Sequence, residues 1–283
     1  MLRFWSSTAG VLLTGTALFA AEVQVQVKPS PTPAARSSAS PSATPRPAGS
    51  PSATSRPGGT PSATPAPAKL PQYRPALLGT GPNSVINRLD TAGLIRDGQK
   101  DAQLFFCCSV DKEGVITNTW IYRQSPDSTL LEKELFSCLD TAFFVPAVYN
   151  HERVDVLLYG TVTFKVVDGK PRLRIFENQE AEELKKESDF IGPQPFVGKD
   201  SKFEGLHYPD DAVTAELSGI VELAMKIDAT GALKDLQIVS EYPPLVGFRR
   251  AAAEDFRVAS FIPAFRDGKP VECSITLPVY YEP

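Results

Sequence analysis

One spacing constrains this chain more than any other feature: the same landmarks occur twice, 117 residues apart. In the C-terminal stretch, Gly219-Ile220-Val221-Glu222-Leu223-Ala224-Met225-Lys226-Ile227-Asp228 leads to Gly231, and Phe261-Ile262-Pro263-Ala264 begins thirty residues after that glycine. In the earlier stretch, Leu104 to Asp111 leads to Gly114, and Phe144-Val145-Pro146-Ala147 begins at the same distance. Asp111 maps to Asp228, Gly114 to Gly231 and Pro146 to Pro263 without a gap. An internal repeat sets the unit of architecture. The spacing therefore predicts two small domains of one fold rather than one large enzyme.

Charge is unevenly spread over the 283 residues. Up to residue 69, Arg3, Lys28, Arg36, Arg46, Arg56 and Lys69 stand against Glu22 alone. Setting that +5 aside turns the whole chain's -4 into -9 for the remainder. Neutralising phosphates needs clustered Lys and Arg, so nucleic acid is excluded as a partner.

Residues 1–21 have the pattern of a targeting segment: a basic start at Arg3, an apolar run centred on Val11-Leu12-Leu13, and small residues at Ala20-Ala21. Cleavage near Ala20 or Ala21 is the favoured reading; a retained signal anchor over Phe4 to Ala21 is the alternative. Either exports the rest of the chain. Residues 22–71 read as a disordered linker rich in Pro, Ser, Ala and Thr. Pro41-Ser42-Ala43-Thr44 recurs at Pro51 and at Pro61, with Arg36, Arg46 and Arg56 in the same ten-residue step. Without large apolar residues such a stretch cannot offset the entropy of ordering. Extended as polyproline II it reaches up to roughly 130 Å, at about 3.1 Å per residue.

The hydropathy pattern then gives each repeat the same order. In residues 205–283, Val221, Leu223, Met225 and Ile227 alternate as a half-buried strand, and Ala229-Thr230-Gly231 turns it into a second strand from Leu233 to Ser240. Phe248, Ala252 and Phe256 make one helical stripe, and Val271, Cys273, Ile275, Leu277 and Val279 alternate as the last strand. In residues 72–177, Leu104, Phe106, Cys108 and Val110 are the strand face. Leu131, Leu135, Cys138 and Ala142 are the helix stripe, and Asp168-Gly169 turns a hairpin after the strand that starts near Val154. Residues 178–204 read as an inter-domain linker with a short charged helix from Glu180 to Glu187, closed by Gly192-Pro193-Gln194-Pro195. The expected class is α+β: two tandem domains, each a three-stranded antiparallel sheet packed against two helices.

Residues 205–283 resemble the C-terminal domain of the TonB family, the periplasmic end of bacterial energy transducers. The resemblance rests on Tyr208-Pro209, Gly219-Ile220-Val221, Ile227-Asp228, Gly231, Ala252-Ala253 and Phe261-Ile262-Pro263-Ala264, with Gly268-Lys269-Pro270-Val271 and Leu277-Pro278-Val279. Residues 88–166 keep Asp111, Gly114 and Phe144-Val145-Pro146-Ala147 but lack the Tyr-Pro pair, and read as a diverged copy. The resemblance implies a binding module that adds a peptide of an outer-membrane receptor to a sheet edge as an extra strand. The expected docking strand is Val271, Glu272, Cys273, Ser274, Ile275, Thr276 and Leu277, because Pro278 removes a donor beyond it. Inner-membrane motor proteins are a further partner that the resemblance implies. The first 21 residues nevertheless lack the histidine of the family's anchor, and the linker lacks its Glu-Pro and Lys-Pro runs.

No catalytic, cofactor or metal constellation is readable. His151 and His207 are the two histidines, and both read as turn or helix-entry residues. No Gly-rich phosphate loop and no Gly-x-Ser-x-Gly elbow occurs. The carboxylates from Glu180 to Glu187 read as a solvated face. Export places the cysteines in an oxidising compartment. Cys108 and Cys138 then have two readings: a disulfide, or two buried thiols acting as small apolar residues. Two functions remain open. One is a docking module for receptor peptides that supports transmembrane transport. The other is a structural envelope spacer whose tandem domains self-associate or bind other proteins. A free final-strand edge favours the first, and an edge covered by the sister domain favours the second.

Overall fold

A computed structural model describes residues 69–282. The targeting segment and nearly all of the expected linker lie outside the described residues. The chain runs through β1 (Tyr73–Arg74), α1 (Val85–Arg88), α2 (Thr91–Arg96), β2 (Ala102–Val110), β3 (Ile116–Gln124), α3 (Thr129–Leu139), β4 (Ala147–Tyr149), β5 (Glu152–Val167) and β6 (Lys170–Phe176). It continues with α4 (Ala181–Lys186), β7 (Gln194–Val197), α5 (Asp210–Thr214), β8 (Gly219–Ile227), β9 (Leu233–Tyr242) and α6 (Phe248–Arg257). β10 (Ser260–Ile262), β11 (Ala264–Arg266), β12 (Lys269–Val271) and β13 (Cys273–Tyr281) complete it.

The C-terminal sheet follows its hydropathy pattern. β13, β8 and β9 lie in that order, all antiparallel, with Ile275 opposite Met225 and Leu277 opposite Leu223. Val221, Leu223, Met225 and Ile227 are buried beneath Phe248, Ala252 and Phe256 of α6. The period-2 face of the strand thus meets the helical stripe of α6. In the first sheet β5, β2 and β3 are ordered in the same way, and α3 buries Leu131, Leu135 and Cys138 in the core that holds Leu104, Phe106 and Cys108.

The repeated landmarks build the same small cluster in both places. Gly114 has φ +89° and Gly231 φ +84°, so both need the left-handed backbone that glycine adopts freely. Phe144 N–H donates to the Gly114 carbonyl (2.9 Å), and Phe261 N–H to the Gly231 carbonyl (3.0 Å). The carboxyl oxygens of Asp111 and Asp228 accept from turn amides: from Val115 N–H at 2.8 Å and from Ala232 N–H at 3.0 Å. A side chain at either glycine would run into the carbonyl of the paired phenylalanine. These contacts explain why Asp, Gly and Phe recur together at fixed distance.

Two expectations are corrected. The first sheet has eight strands rather than three, because β5 is 16 residues long and pairs with β2 on one side and with β4, β7 and β6 along the other. The Asp168-Gly169 turn forms between β5 and β6 with both residues at positive φ. Nor are the two sheets separable domains, since residues 69–283 form one compact unit. The stretch read as a linker supplies core instead: β7 pairs with β5 and with β10, so Phe196 and Ile262 share one cluster with Phe106 and Phe164. Gln194 makes the join specific. Its side chain is 2 % exposed, accepts from Ala76 N–H (2.7 Å) and donates to the Ala76 carbonyl (3.0 Å). Burying that amide is tolerated because both of its ends are bonded.

Candidate functional site: the edge of the final strand

Among the described residues β13 has β8 on one side and no paired strand on the other. In an antiparallel pair, alternate residues exchange hydrogen bonds with the neighbour while those between them point outward. The bonding of Thr276 away from β8, described below, fixes the phase: Ser274, Thr276, Pro278 and Tyr280 face the edge. Pro278 has no N–H, so the outward donors are Ser274, Thr276 and Tyr280.

The expected docking residues divide as follows. Val271 lies at the end of β12, opposite Ala264, rather than in the last strand. Glu272 falls between strands and its carboxylate meets Lys226 Nζ at 2.9 Å. Cys273 opens β13 opposite Ile227, with its thiol pushed up to about 12 by burial first and by the carboxylates of Glu180 and Glu272. Ser274 is exposed, Thr276 half-buried, and Ile275 and Leu277 are buried under α6. Glu272 and Ser274 are thus the exposed side chains of this stretch, with Thr276 half-buried between Ile275 and Leu277.

Two edge residues escaped the sequence reading. Gln179 Nε2 donates to the Thr276 carbonyl (3.0 Å), and Thr276 N–H donates to Glu180 Oε1 (3.0 Å). These are the two backbone bonds a paired strand would make at that residue. Glu180 stands at the N-cap position of α4, yet its side chain makes no capping bond there. Burial pushes its carboxyl up, the Thr276 N–H pulls it back, and Glu183 raises it again. The pair projects from Asn178, which is 2 % exposed. Asn178 donates to the Phe190 carbonyl (2.8 Å), and its side-chain oxygen and its carbonyl accept from Glu180 N–H (3.2 Å) and Thr161 Oγ1 (2.7 Å). The reading of Glu180 to Glu187 as a solvated face is corrected at Glu180 and at Glu183, which accepts from Arg266 (2.8 Å) and Ser188 (2.7 Å). Nothing periodic in the sequence marks the contacts with Thr276 and Arg266, because each joins residues far apart in the chain.

At its C-terminal end the edge opens on a groove of about 410 Å³, lined by Tyr280, Trp120 of β3, Tyr208, Asp111 and Asp155 among others. The disulfide reading is corrected too: Cys108 and Cys138 are free thiols, as are Cys107 and Cys273. Cys138 Sγ lies 3.8 Å from Glu134 Oε1, one helical turn away, while Cys108 is fully buried in β2. His207 pairs with the buried carboxylate of Asp255, whose Oδ2 also accepts His207 N–H (2.8 Å); this contact raises the imidazole pKa. His151 Nδ1 lies 2.7 Å from the Leu70 carbonyl. Among the described residues no His, Cys, Asp and Glu cluster could hold a metal ion, and no helix is long and apolar enough to cross a membrane.

The geometry defines a small α+β module with an edge strand, and a family comparison agrees with it. The family described as "Gram-negative bacterial TonB protein C-terminal" matches residues 204–283. That family is envelope-associated and linked to transport rather than catalysis. None of the curated proteins compared matches this chain.

Proposed function

We propose that residues 205–283 are a TonB-like periplasmic module that docks an extended segment of an outer-membrane transport receptor on the edge of β13, supporting transport across the envelope. The observation that carries the reading is the position of β13, an edge strand in the segment that the family matches, with outward groups at Ser274 and Tyr280. Backbone pairing would supply affinity, and Glu272, Ser274 and Thr276 would tune partner choice. The groove beside Tyr280 offers aromatic and acidic walls to the side chains of the docked segment. On this reading residues 88–166 are a diverged second copy; the matching strand orders and the twin Asp-Gly-Phe clusters support that descent. The targeting segment and the Pro-rich stretch would carry the module into the periplasm and hold it away from the inner membrane.

The occupied backbone of Thr276 favours a second reading, in which the chain is an envelope spacer and the edge serves only internal packing. Ser274→Pro separates the two. It deletes an outward donor without removing a bond to β8, so circular dichroism should be unchanged while recovery of outer-membrane receptors from envelope extract falls. Equal recovery by the folded variant would refute edge docking.

A further inference from the structure

We propose that Gln179 and Glu180 are an internal plug of the β13 edge, which a docking peptide must displace. The inference rests on the docking reading above and concerns the regulation of the same site. Strand addition is driven by main-chain bonds to the unpaired groups of an edge. β13 offers such a pair at Thr276, between the outward groups of Ser274 and Tyr280, and the plug satisfies both members of it. One amide donor and one carboxylate acceptor, on consecutive residues, reproduce the donor and acceptor of an incoming strand. An approaching peptide therefore meets a competitor within its footprint.

The construction of the plug suits release. Its backbone is fixed at Asn178, so freeing the N–H and carbonyl of Thr276 requires only that two side chains rotate and no helix or strand melts. Both are long, flexible side chains that regain rotamer freedom when they leave Thr276. Glu180 is also a poor permanent partner, since its carboxylate is held away from water against a neutral amide, and burial of an ionised group is unfavourable. Ser274 is exposed beside the plug, so a peptide can begin pairing there and then displace it.

The test uses the full chain and a labelled, N-acetylated heptapeptide of alternating Thr and Val, which favours an extended conformation, with binding read by fluorescence anisotropy. Removing two competing hydrogen bonds should tighten binding by roughly tenfold in Gln179→Ala/Glu180→Ala. Glu180→Gln, which keeps an acceptor oxygen for Thr276 and removes the buried charge, should not tighten binding, and tightening by this variant would overturn the plug. In the unmodified protein, the side-chain amide signals of Gln179 should move towards free, solvent-exposed values as peptide is added. That measurement keeps the proposal open to refutation even if the double variant fails to fold. Equal affinity of the parent and the folded double variant, or Gln179 signals that do not move at saturation, would overturn the plug and leave docking standing. Ser274→Pro binding as the parent does, or no binding by any of these proteins, would overturn docking and the plug together.

Discussion

Glu177 makes the stability of this protein depend on pH in a direction opposite to most carboxylates. It follows β6, and its Oε1 accepts the N–H of Leu78 from a segment 99 residues earlier. Burial raises its carboxyl from an ordinary value of 4.5 to about 7, with the Leu78 N–H pulling the other way. The folded protein thus holds this proton more tightly than the unfolded chain does. The contribution to stability is fully present below about 4.5, declines as pH rises to about 7, and is flat above that. At 1.36 kcal/mol per pKa unit the decline would be roughly 3 kcal/mol, and because part of the residue's surface stays accessible we take about 2–3 kcal/mol. Glu177→Gln keeps an acceptor for Leu78 N–H and removes the charge. The variant should therefore be about 2–3 kcal/mol more stable than the parent at pH 8, and within about 0.5 kcal/mol of it at pH 4. For a folded unit of this size that corresponds to a rise in Tm of roughly 4–12 °C at pH 8. Urea titrations followed by the fluorescence of Trp120 give both numbers, and taking the difference between variant and parent cancels the other titrating groups. A variant no more stable than the parent at pH 8, or an equal gain at both pH values, would refute the assignment.

Three further outcomes follow from the core and the turns. Gly231→Ala should lose about 2–4 kcal/mol, since Cβ would lie 1.8 Å from the Phe261 carbonyl oxygen at φ +84°. Gly268→Ala, at φ +70° with nothing within 4 Å, should lose only about 1–2 kcal/mol; equal losses would show that the close approach to Phe261 does not matter. Truncating Phe261, fully buried, or Phe144, 3 % exposed, to Ala should lose about 3–5 kcal/mol by chemical denaturation, and a loss below about 1 kcal/mol would refute their place in the core. All four cysteines should label in denaturant without reductant, whereas native labelling at pH 8 should be slow, because burial pushes Cys107 up to about 12 and Cys138 to about 11. Failure of Cys108 and Cys138 to label in denaturant would restore the disulfide.

Of the proposed site, the strand was legible in the sequence and its occupant was not. Alternation from Cys273 to Val279 marks a strand with one buried face, and Pro278 marks a position where a donor is missing. The alternation started too early, at Val271, because β12 and β13 are separated only at Glu272 and the apolar period carries across the break. The sequence reading missed Gln179 and Glu180 because polar residues beside a short charged helix have the composition of a solvated face. Their role depends on which strand that helix entry lies against.

The sequence by itself determined the elements whose cause is local. Period-2 and period-3.6 patterns placed β2, β8, α3 and α6, and the Asp-Gly-Phe spacing placed two identical turn clusters, because each needs residues of fixed type at short separations. Tertiary structure decided how the two halves join. β7 became a strand of the first sheet through pairing with β5 and β10 and through the Gln194 bonds to Ala76, 118 residues away. The Thr276 cap likewise joins residues 96 and 97 positions apart. Hydrogen bonds of that kind satisfy buried or edge groups wherever the folded chain brings a partner, and they leave no period in the sequence from which they could be read.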